Sequence, residues 1–128
     1  MGNTATALDA VPAYFRIGKP LGLIYPVLVS MDTTAADLEV FDPGSDQFWA
    51  IHGMLSSEAT AHTLLIKSGS TALVTLEHTT YKAFTERISP HPLLIGVLGE
   101  KLNFNLSAGT LGSVLVYLSK MRSLDLHQ

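Results

Sequence analysis

The chain has 128 residues, 47% of them apolar and 15% charged, with eleven acidic against eight basic side chains, a formal charge of -3 and no cysteine. That length suits one domain, which buries roughly two-thirds of the surface its unfolded chain exposes. Without a cluster of Lys and Arg to neutralise phosphates, direct nucleic-acid binding is not expected, and the lack of cysteine excludes disulfides, thiolate nucleophiles and cysteine metal sites.

The N-terminal stretch MGNTATALDAVP has neither a positive leader nor a signal-length apolar run, and no window approaches the roughly eighteen apolar residues of a spanning helix. A soluble, unprocessed chain with no membrane partner is the expectation. Its charge content is low for a free-standing surface, so partner subunits are expected to cover some of the apolar excess.

Residues 1-22 carry Pro12, Gly18, Pro20 and Gly22, which break any helix begun at Ala5 to Ala10 and predict an extended N-terminal arm. Tyr14, Phe15 and Ile17 are large apolar side chains within it, best used by docking onto the body or a neighbouring subunit. The domain proper is then residues 23-128. Its first β-like run, Leu23 to Ser30, contains Pro26, which predicts a strand that starts after the proline or lies at an edge.

Asp32-Thr33-Thr34 supplies turn chemistry, and a short strand is expected at Leu38 to Phe41. Asp42-Pro43-Gly44-Ser45 is the strongest turn signal in the chain. Three strand-length segments follow at Phe48 to Ser56, Ala61 to Lys67 and Thr71 to Glu77. The last alternates Leu73, Thr75 and Glu77 with Ala72, Val74 and Leu76, a period of two that suits a sheet with one covered face. Thr79 to Phe84 reads as a short strand or a turn of helix, and after Pro90 and Pro92 comes the brief apolar run Leu93 to Leu98.

The clearest alternation is Leu102, Phe104 and Leu106 against Asn103, Asn105 and Ser107. Ala108-Gly109-Thr110 reads as a turn, and Ser113 to Ser119 as a strand apolar on both faces, hence central in its sheet or pressed under another layer. About eight short strands with regular turns and no βαβ unit predict an all-β fold, a β-sandwich or a barrel, and of the two the single antiparallel β-sandwich is the expectation.

No reaction centre assembles from these residues. His52 and His62 are expected to be neighbours across the strands flanking Ser57 to Thr60, but two histidines leave a tetrahedral metal site unfilled, and no HxH or HExxH completes it. Glu77 and His78 are adjacent on a strand and face opposite sides, a poor arrangement for work on one proton. GxSxG, GxGxxG and the P-loop pattern are all missing, and DPGSD lacks the spacing of a calcium loop. The expectation is no enzyme, no catalytic or metal residues and no cofactor. Phe48, Trp49, Tyr81 and Phe84 offer rings that stack on sugars, although a strand tryptophan more often anchors a core or an interface.

Gly99 to Ala108, GEKLNFNLSA, followed by Gly112-Ser113-Val114-Leu115-Val116-Tyr117, resembles the C-terminal signature of small jelly-roll decoration or cement proteins of tailed-phage capsids, in which GE-x-L-x-L-x-LSA precedes a G-x-x-x-x-Y strand. His62 to Leu76, HTLLIKSGSTALVTL, is similar to their strand, SG turn and strand. The resemblance spans about Phe48 to Ser119 and departs at Leu93 to Leu98, where a GWFET-like stretch is common. It implies a jelly roll and a virion protein that binds the major capsid protein on the outer capsid surface as a homo-oligomer, a trimer, after time in the host cytoplasm. Such proteins bridge capsomers against the outward pressure of packaged DNA. Tyr14, Phe15, Ile17 and Trp49 are the assembly contacts expected under this reading. The alternative is a head-tail or tail-associated receptor module, with a glycan as its partner.

Overall fold

A computed structural model describes residues 3–13, 22–32, 34, 36–56, 61–78, 84–86 and 92–122. All the regular structure among these residues is β: β1 (Thr4–Ala7), β2 (Val11–Ala13), β3 (Gly22–Met31), β4 (Leu38–Phe41), β5 (Phe48–Ser56), β6 (His62–Ser68), β7 (Thr71–His78), β8 (Phe84–Glu86), β9 (Leu94–Ile95), β10 (Leu102–Gly109) and β11 (Leu111–Met121). They form two antiparallel sheets. Sheet one has the order β1-β3-β11-β5-β8, with β2 also on β3 and β9 also on β5, and sheet two has the order β4-β10-β6-β7. The two pack face to face over a common core, an all-β sandwich rather than the barrel that the strand pattern also allows.

Alternation decides which side chains fill that core. Leu102, Phe104 and Leu106 of β10 are fully buried, and in register beside them Phe104 faces Ile66 and Leu106 faces Leu64 on β6. From sheet one, Val27, Val29 and Met31, then Val114, Val116 and Leu118, then Trp49, Ile51 and Met54 close over them. Each large apolar side chain withdrawn from water in this way stabilises the fold by about 1.5–3 kcal/mol. Strand β11 lies between β3 and β5, the central position that its two-sided apolar sequence predicts.

Two features differ from the sequence reading. Strand β3 runs straight through Pro26 and is an inner strand, with β11 on one side and β1 and β2 on the other. It tolerates the proline because the N–H and C=O of one strand residue point the same way. The Pro26 carbonyl accepts from Leu8 N–H at 2.9 Å, so the missing donor also faces the outer strand, at the gap where β1 ends and β2 has not begun. The second difference is those two strands themselves. Thr4–Ala7 and Val11–Ala13 pair with Val27–Ser30 and Gly22–Ile24, where the sequence suggested strand signals only after residue 22. Small and β-branched residues in Thr4–Ala7 fit beside β3 at low steric cost, and Ala5 packs against the core.

Turn chemistry holds as expected at Asp42 to Ser45, where Gly44 has φ 104° and donates its N–H to Asp42 Oδ1 at 3.0 Å. On the outer side of sheet two, Lys67 Nζ donates to both Asp37 oxygens at 3.0 and 2.9 Å, and Asn105 Nδ2 donates to Asp37 Oδ1 at 2.9 Å. These bonds to Lys67 and Asn105 hold the Asp37 carboxyl below its usual range. A depressed folded-state value means the contribution is present above the unfolded-state value and is lost as pH falls through the folded one. Asp37→Asn is therefore expected to lower stability by about 0.5–1 kcal/mol at neutral pH and by less in acid, below about pH 4. Urea unfolding of both proteins across that range checks it, and a difference that does not change with pH contradicts the assignment.

Candidate interaction surface

Sheet one turns its second face away from the core. Since Val27, Val29, Val114, Val116 and Met54 point inward, alternation sends Leu28, Leu115 and Leu55 outward. Register sets these three side by side, with Leu115 opposite Leu28 on one neighbour and opposite Leu55 on the other. Leu28 is 40% and Leu55 42% exposed, and Leu115 between them is half-buried. The next outward row along the sheet pairs Pro26 with Tyr117 and Tyr117 with Gly53, and exposed Leu8 lies at its end, bonded to Pro26. None of these residues carries a charge.

Sheet two presents a different face to water. There Asn103 stands opposite Glu39 and Lys67, and Asn105 opposite Leu65, which in turn faces Thr75. Besides the Lys67–Asp37 pair, Lys101 Nζ meets Glu39 Oε1 at 3.0 Å, both side chains being about half exposed. Glu39 holds the Lys101 ammonium above its ordinary range. The outer face of sheet two thus carries paired polar groups around Leu65, and that of sheet one a row of three leucines with Thr6 of β1 beside Leu28.

A second apolar feature is the segment from Leu93 to Glu100. It is strapped along the start of β5 by three backbone bonds, Leu93 N–H to Ile51 O at 2.7 Å, Gly96 N–H to Trp49 O at 2.9 Å and Gly99 N–H to Gln47 O at 2.9 Å. Val97 N–H donates to Ser68 Oγ at 2.9 Å, and Ser68 Oγ donates to Glu100 Oε1 at 2.8 Å. A turn closed by Glu100 N–H on Val97 O at 3.0 Å, with Gly99 at φ 77°, holds Val97 and Leu98 at the tip, 52% and 51% exposed. Positive φ at the third turn position is the reason a glycine stands there.

Of the residues singled out in the sequence, Tyr14, Phe15, Ile17 and Tyr81 lie outside the described residues. Trp49 has no exposed surface, and its indole lies against Gly96 in the chain's own interior. A ring so enclosed has no surface to offer a sugar or a second subunit. His52 and His62 do not meet across a strand pair: His52 belongs to β5 in sheet one, whereas His62, in sheet two, has His78 as its register partner. The segment Ser57 to Thr60 joins strands of different sheets, which is why the hairpin reading of it fails.

His52 occupies a bulge, since Ile51 pairs with Leu118 and Gly53 with Tyr117. Its Nε2 is 2.7 Å from Ser119 Oγ. Imidazole beside hydroxyl is the pairing a serine nucleophile requires, but His52 is 1% and Ser119 8% exposed, so the pair is closed to solvent. Among the described residues no group of three or more His, Asp or Glu side chains is placed to hold a metal ion, and no helix is long and apolar enough to cross a membrane.

The leucine row was missed in the sequence because β3, β5 and β11 are apolar on both faces. The signal was present in the two-sided run Ser113 to Ser119, but it names a central strand without saying which half of it faces the core. Comparison of the chain with protein families, with curated proteins and with solved structures gives no match.

Proposed function

We propose that this chain is a non-enzymatic structural subunit of a virus particle, seated on the exterior of the capsid through the outer face of sheet one and stabilising the shell by bridging capsomers. The supporting observation is the contrast between the two outer faces: the uncharged row Leu28, Leu115 and Leu55 on one sheet and the ion-paired, amide-rich surface on the other. Side chains of this kind, level with one another across three strands, stabilise a complex once a protein surface excludes water from them. The likeness of Gly99 to Ala108 and Gly112 to Tyr117 to jelly-roll decoration subunits supplies the particle context, with the major capsid protein as the partner.

The test is co-sedimentation with shells of that capsid protein. Wild-type chain is expected to pellet saturably, and Leu28→Glu/Leu55→Glu to weaken binding by about 100-fold or more, since a carboxylate forced into a dry contact costs about 2 kcal/mol or more at each site. Both leucines are substantially exposed in the free chain, so the circular dichroism of the double variant should be unchanged. Undiminished binding by a folded variant contradicts the proposal.

A further inference from the structure

We draw no further inference here: the strongest candidate, the outer edge of β7 in sheet two with half-buried Val74 and Leu76 along it, carries nothing, because no described strand pairs with it on the side away from β6 and nothing in the structure shows what covers it.

Discussion

Gly96→Ala is expected to lower the unfolding free energy by about 3 kcal/mol and to shift the emission of the single tryptophan. A β-carbon at this position would stand 2.8 Å from Trp49 Cδ1 and would overlap Cε2 and Nε1 outright. Neither partner can yield easily. The indole is fully buried among core side chains, and the Gly96 backbone is tied to the Trp49 carbonyl at 2.9 Å. Trp49 Nε1 is buried and has no hydrogen-bond partner among the described residues, while the ring is packed among core side chains, and displacing it forfeits that packing. Val97→Ala, one residue along at an exposed position, should stay within about 0.5 kcal/mol of wild type. Denaturant unfolding followed by Trp49 fluorescence reads both effects, and an unchanged midpoint for Gly96→Ala contradicts this account of the strap.

Phe104→Ala should cost about 3–5 kcal/mol, the largest loss expected from any single truncation in sheet two. Phe104 is fully buried in β10, an inner strand between β4 and β6, and its neighbours in the alternation, Leu102 and Leu106, are equally enclosed. Residues on three sides are fixed by ladders, so the walls of the cavity have little room to collapse. For a domain of this size the expected fall in melting temperature is roughly 15 °C. Phe41→Ala is a useful comparison, since Phe41 is only partly buried at the margin of the core and should cost about half as much or less. Equal losses from the two would mean that Phe104 is not at the centre of the packing.

The sheet segments from Phe48 onward were largely legible because a period of two is a direct record of one face meeting the core. Leu102, Phe104 and Leu106 gave their strand and its orientation from the sequence alone, and the turn at Asp42 to Ser45 followed from proline and glycine stereochemistry. Pro26 misled for a physical reason: a proline excludes a strand only where a neighbour needs its N–H, and here the neighbouring strand is interrupted at that point. The pairing of Thr4–Ala7 with β3 was illegible because four small residues carry almost no hydrophobic pattern. The interaction surface was harder still. Leu28 and Leu55 are indistinguishable in sequence from core leucines, and only the bulge at His52 and the register across β3, β11 and β5 align them on the outside. The open edge of β7 is likewise a property of sheet order, which local pattern does not encode.

The most direct test of the central claim is cryo-electron microscopy of the particle carrying this chain. The account predicts density for the sandwich on the capsid exterior, with Leu28, Leu55 and Leu115 of sheet one turned down onto the shell and the Asn103 and Asn105 face of sheet two turned to solvent. A sandwich seated on sheet two, or absent from the outer surface of the particle, contradicts it.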